Sequence, residues 1–175
     1  MQEHELIYDW NTRVPGFDWA HSRVELNDET LRDGLQSPSV LDPSIEDKKA
    51  LLHLMAELGI AAANIGLPGA GPRTRADTLA LAKEIVRARL PISANCAART
   101  LATDIEPIAR IAQESGLAIE AATFIGSSPI RQYAEDWTLA KMVQVSEDAV
   151  KFAMSEGLSL MFVTESGVSF RALEL

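Results

Sequence analysis

Arg32 and Asp33 stand side by side in a polar stretch, positions 27–37, that carries more charge than a turn needs. Gly34 can supply the bend by itself. A strand sends neighbouring side chains to opposite faces, but where it gives way to a loop both can converge on one pocket. Arg32 is then an anion clamp and Asp33 a hard oxygen ligand for a divalent cation. A surface ion pair at a strand end would use the same two residues, and their types alone do not separate the readings.

The other polar residues able to do chemistry recur segment by segment: Asn64, Asn95 with Arg99, Thr123, and Glu165. Each follows or closes a short apolar run. Cys96 lies in such a run with no histidine near it in sequence, so a buried small hydrophobe is expected rather than a nucleophile. His4, His21 and His53 have no partner at metal-ligand spacing, and His53 reads as a partly solvated helix histidine.

The elements that must position these residues alternate in type. Apolar runs at 24–26, 60–65, 91–97, 117–125 and 158–164 read as strands. The first helix opens at Ser44, where Asp47 three residues on approximates a capping box, and closes at Gly59. Further helices span about 75–89, from near Thr103 to Gly116, and 139–156 before Gly157. Gly126-Ser127-Ser128-Pro129 reads as a loop.

This alternation predicts an α/β fold with a parallel sheet and right-handed crossovers. A doubly wound open sheet and a (β/α)8 barrel both satisfy it. No glycine-rich dinucleotide fingerprint follows the first strand, and the polar residues gather at the C-terminal ends of the strands, as they do in barrels. A closed barrel takes about 250 residues, so about the first five strands and four helices are expected here. Positions 1–22, with Tyr8, Trp10, Phe17 and Trp19 around Pro15-Gly16, form an N-terminal extension expected to strap onto the domain; 23–175 form the N-terminal portion of the barrel.

A hydrophobic content of 47% is enough for a real core, and a net charge of −9 argues against a nucleic-acid surface, which needs a basic stripe. The single cysteine excludes an intramolecular disulfide. No run reaches the roughly 18 apolar residues of a membrane span, and the acidic start is unlike a signal peptide. A cytoplasmic protein without a membrane partner is expected.

The stretch Glu29-Thr30-Leu31-Arg32-Asp33-Gly34-Leu35-Gln36-Ser37-Pro38 resembles the signature of metal-dependent aldolase-type TIM barrels. That family includes 2-isopropylmalate synthase, homocitrate synthase and 3-hydroxy-3-methylglutaryl-CoA lyase. Glu57-Leu58-Gly59-Ile60, Gly66-Leu67-Pro68, Cys96-Ala97-Ala98-Arg99 and the segment from Thr123 to Ile130 continue the resemblance, in an order most similar to the isopropylmalate synthase branch. It implies a metal-dependent Claisen condensation of an acyl-CoA with a 2-keto acid, giving a 2-substituted malate. It also implies catalytic roles for Arg32 and Glu165, a metal ligand in Asp33 for Mg, Mn or Zn, and substrate contacts from Gln36, Asn64, Arg99, Thr123 and Arg131.

Several positions depart from that pattern. The family's His-x-His metal pair is unmatched, so the metal site is incomplete in this chain. Leu35 stands where synthases carry Glu, as in the lyase, which keeps cleavage of a 3-hydroxyacyl-CoA as an alternative. Asn64 replaces a strand-two glutamate, Ala122 a histidine, and Val163 a polar residue. Arg131 replaces a residue often histidine in the synthases; with Arg99 it could favour an acceptor with an extra anionic group. Arg131 could equally serve its own loop, with Asp136 as salt partner and Trp137 as packing anchor. Glu165 could likewise be a solvated loop carboxylate. Half a barrel leaves sheet edges unpaired, so a homo-oligomer, a non-catalytic partner half-barrel or an inactive fragment also follow from the pattern.

Overall fold

The computed structural model describes residues 24–165, so the expected extension at 1–22 lies outside it. Five parallel strands, β1 (Asn27–Asp28), β2 (Ala62–Asn64), β3 (Ser93–Arg99), β4 (Ile119–Gly126) and β5 (Ser159–Glu165), form one sheet in sequential order. They are connected through α1 (Ile45–Glu57), α2 (Pro72–Ala88), α3 (Ala102–Ser115), and the pair α4 (Pro129–Glu135) and α5 (Leu139–Ser155). A doubly wound sheet reverses its strand order at a switch point. Sequential order without reversal is the arc of a (β/α)8 barrel, as the alternation predicted.

Register assigns the two faces of the sheet. Asn64 pairs with Asn95, and Asn95 with Glu120, so these side chains share one face. Alternate positions, Ala63, Ile65, Ala94, Cys96, Ala98, Ile119 and Ala121, join the apolar core. Leu52 of α1, Leu81 of α2, and Ile105 and Ile108 of α3 fill that core and are completely buried or nearly so. Burying a side chain of this size contributes about 1.5–3 kcal/mol. One face is therefore committed to the helices, and the other carries the polar row.

Boundaries differ from expectation where capping chemistry decides. The expected strand at 24–26 gives way to β1 at Asn27–Asp28, and Val24 and Leu26 are exposed. Leu26 still meets the sheet, because its carbonyl accepts from the N–H groups of Ala61 and Ala62. α2 starts earlier than expected because Pro72 takes its first turn after Gly71. α4 begins at the last residue of the expected loop, so the described residues hold five α-helices where four were expected. Ser128 caps it by accepting from the Arg131 N–H, and Pro129 supplies its first turn. At α1 the expected cap holds: Ser44 Oγ accepts from Asp47 N at 3.2 Å. The Ser44 hydroxyl donates in turn to the Asp47 carboxylate at 2.7 Å, where the longer Glu of a full capping box would reach the backbone N–H of the cap.

Polar contacts lock α1 onto α2. The ammonium of buried Lys48 lies 2.6 Å from Asp42 and 2.7 Å from Asp77. Glu84, also buried, meets His53 Nε2 at 2.8 Å and accepts from Arg87 Nε at 2.9 Å. Hydrogen bonds from Arg87, then from His53, hold the Glu84 carboxyl down from the usual 4.5 to about 2. A depressed carboxyl stabilises the fold above its unfolded value and loses that contribution as pH falls. Glu84→Gln should therefore flatten the decline in stability between pH 4.5 and about 2, measured as urea midpoints against pH.

Candidate active site

The chain leaves β1 through a turn built on one residue. The carbonyl of Glu29 accepts from the N–H groups of Arg32, Asp33 and Gly34 at 3.1, 2.8 and 3.1 Å. Asp28 Oδ1 pins the same turn by accepting from Thr30 N at 2.8 Å. The Glu29 carboxylate then takes Arg32 Nε at 3.1 Å and Nη2 at 2.7 Å, while Arg32 Nη1 donates to Asp33 Oδ1 at 3.0 Å. The ion pair between Arg32 and Asp33 forms, and it sits where the chain passes from strand to loop. Glu29 is the partner that sequence reasoning missed, although its three-residue spacing from Arg32 is that of a helical turn.

Arg32 and Gln36 line one cavity of about 260 Å³ with Leu31, Lys48, Leu67 and Thr78. Its floor comes from Ile65 and Gly66, just past the C-terminal end of β2. Of the expected site residues, these two are brought together most directly. Asp33 stands at the rim of the same turn with its side chain 63% exposed. Asn64 is buried, and its Oδ1 accepts from Gly66 N at 3.3 Å. Asn95 shares its row and donates to Asn27 Oδ1 at 2.7 Å, while the buried Asn95 Oδ1 has no partner among the described residues.

A second group forms at the ends of β3 and β4. Arg99, Arg131, Glu135 and Trp137 line a cavity of about 250 Å³ with Leu101 and Phe124. Arg99 donates to Asp104 through Nε at 2.7 Å and Nη2 at 2.9 Å, and Asp104 is buried. That pairing pushes the already high Arg99 pKa further up. Asp104 also abuts the loop after β2, since a Cβ on Gly69 would meet its Cγ at 2.9 Å. The salt partner of Arg131 is Glu135, with Nε 3.5 Å from its carboxylate, rather than the expected Asp136. Asp136 is instead the left-handed residue ending α4, with φ 51°.

Thr123 is placed differently from expectation. It pairs with Ala98 and Phe162 on the helix-facing rows, is fully buried, and donates to the Met161 carbonyl at 3.3 Å. Its place is therefore in the packing, away from the polar row; sequence position at a strand end did not reveal the face. Glu165 ends β5 in register with Gly126, which puts its backbone at the same end of the sheet. Cys96 is buried in the core, and burial drives its thiol pKa far up, which removes it as a nucleophile.

The donor set does not make a metal centre within the described residues. No three His, Cys, Asp or Glu side chains there converge to hold an ion. Asp33 offers one carboxylate, engaged with Arg32.

A family model described as HMGL-like matches residues 23–172. The chain belongs to the HMGL-like family. Its relatives include a 2-isopropylmalate synthase of Streptococcus gallolyticus, 30% identical over 77% of this chain and 25% of that protein. The homocitrate synthase AksA of Methanosarcina mazei is 29% identical over 94% of this chain and 38% of its own length. A 2-isopropylmalate synthase of Heliobacterium modesticaldum is 34% identical over 82% of this chain and 27% of its own. The chain thus spans well under half the length of these relatives. No helix among the described residues is long and apolar enough to cross a membrane.

Within this HMGL-like framework, Arg99 and Asp104 form the pair whose loss is easiest to read. Arg99→Ala leaves the buried Asp104 carboxylate with only the backbone N–H of residue 99, at 3.3 Å, a loss of about 2 kcal/mol or more. Asp104→Ala removes the buried charge as well and closes a thermodynamic cycle with it. Urea denaturation of both single variants and the double should show strong coupling; additive effects would mean that the pair carries nothing.

Proposed function

We propose that the protein carrying this chain is an acyl-CoA:2-keto acid condensing synthase. In the reaction, a thioester enolate attacks the carbonyl of a 2-keto acid, and hydrolysis of the thioester yields a 2-substituted malate and CoA. The observation that carries this reading is the Arg32–Gln36 cavity beside the end of β2, with Arg32 oriented by Glu29. An enolate needs positive charge already in place where its oxygen becomes negative. Arg32 can provide it, because its guanidinium is fixed before substrate arrives and is only 24% exposed.

The family match and the synthase relatives support a synthase of this class without choosing the acceptor. Asp33 is proposed as one oxygen ligand of a divalent cation, whose other ligands come from outside the described residues. Such a cation would supply Lewis acidity toward the acceptor. Gln36 is assigned to the acceptor side of that pocket; Asn64, on the polar row outside its lining, is assigned to the acceptor from the other face of the sheet, and Glu165, at the end of β5, to the acyl-donor side. Cleavage of a 3-hydroxyacyl-CoA, which reverses the condensation step alone without hydrolysis of the thioester, passes through the same enolate, and Leu35, where synthases carry Glu, favours it.

CoA release, followed with a thiol reagent over a panel of 2-keto acids, tests the assignment. Arg32→Ala should lower turnover about 100-fold or more, the usual cost of removing an oxyanion donor. Asp33→Ala should chiefly weaken divalent-cation binding, read by calorimetric titration. Full activity in Arg32→Ala would remove its catalytic role, and absence of CoA release with every keto acid would end the synthase reading.

A further inference from the structure

The segment that follows the Arg32 turn has little apolar burial to hold it. Residues 36–42 are all exposed, Leu41 at 92% and Val40 at 42% among them. Backbone hydrogen bonds make the segment continuous with the turn. Gln36 N donates to the Asp33 carbonyl at 3.0 Å, and Val40 N to the Ser37 carbonyl at 3.1 Å. Such a stretch opens easily unless something other than apolar packing fixes its far end.

That end is fixed at Asp42. Its Oδ1 lies 2.6 Å from Lys48 Nζ, and its Oδ2 lies 2.6 Å from Arg73 Nη2. The two cations differ in exposure. Arg73 is 69% exposed, so solvent screens its pair, whereas Lys48 is 6% exposed. Lys48 reaches from α1 to Asp42 on one side and to Asp77 of α2 on the other. A buried ammonium gives up a charge-assisted hydrogen bond only at a loss, so it holds the loop carboxylate firmly. Lys48 also lines the cavity that contains Arg32 and Gln36. Lys48 and Arg73 cancel the charges of Asp42 and Asp77, so the group is built to hold its members rather than to draw in an anion.

We propose that Lys48 is a positioning residue for the Arg32 site. Through Asp42 it anchors the segment after the turn, and so keeps Gln36 and the guanidinium of Arg32 aimed into their cavity. Its effect on turnover rests on the synthase reading; its mechanical effect on the turn rests on the ion pairs alone.

The test uses the full protein and begins with Asp42→Asn, which leaves Lys48 its Asp77 partner and so leaves the buried cation paired. This variant should lower kcat for CoA release about tenfold or more, the scale of loss when a reacting group is misplaced. Asp42→Glu should restore part of it. Two controls isolate the lysine. Arg73→Gln removes only the exposed arm, and Glu84→Gln weakens a different contact between α1 and α2; both should leave kcat unchanged, although Glu84→Gln lowers the urea midpoint. Amide hydrogen exchange over residues 29–40 reads the turn without any reaction. It should quicken in Asp42→Asn and in neither control. Unchanged kcat in Asp42→Asn, or an equal loss in Arg73→Gln or Glu84→Gln, would overturn the proposal. Quickened exchange in a protein that releases no CoA with any keto acid removes the synthase and keeps the anchor. CoA release with exchange and kcat indifferent to Asp42→Asn does the opposite.

Discussion

The in-register pairing of parallel strands is the constraint on which the rest of this molecule depends. A slip of one residue would exchange the two faces of a strand. Asn64 would then point into the helices while Ile65 turned to the polar row, and Asn95 would lose both its Asn27 contact and its match with Glu120. The strands resist this because one face is occupied by small, tightly packed residues. Ala63, Ala94, Cys96, Ala98 and Ala121 leave just enough space for Leu52, Leu81, Ile105 and Ile108 to approach the sheet. The register that satisfies packing on one side fixes the polar row on the other, and the loops that follow the strands inherit their positions from it.

Much of this was legible because strand and helix signals agreed with their caps. Ser44, Gly59, Gly116 and Gly157 ended or began helices where their chemistry predicts, the glycines with φ of 77°, 72° and 75°. Sequential strand order followed from alternation together with polar strand ends. What sequence could not supply was the face of a residue near a strand end. Thr123 and Asn95 look alike as polar residues in apolar runs, yet one joins the packing and the other the polar row. Alternation sets a period but needs a fixed origin, and the origin is tertiary. The same limit hid α4: Ser128-Pro129 is both a loop signal and a helix start, and only the chain after it decides.

That Arg32 and Gln36 share a pocket was legible because the motif keeps both in one turn and its following residues, so a local conformation suffices to bring them together. Arg99 and Arg131 are 32 positions apart by their numbers, and it is the β3–β4 ladder that joins them. The salt partner of Arg131 was misjudged, and that of Arg99 was not foreseen, for a related reason. Asp104 reads in sequence as an acid suited to a helix N-terminus, and it is one, but its burial makes it above all a mount for Arg99.

The arginines differ in how they are held, and the difference bears on what each can do. Glu29 and Asp33 are 40% and 63% exposed, so their pairs with Arg32 are screened and worth about 1 kcal/mol or less each. Arg32 can exchange such contacts for a substrate oxygen at little cost, provided the backbone turn on Glu29 keeps the group in place. Asp104 is 5% exposed, and withdrawing Arg99 from it would strand a buried carboxylate. Arg99 therefore stays with its acid and can offer a ligand only the donors left over.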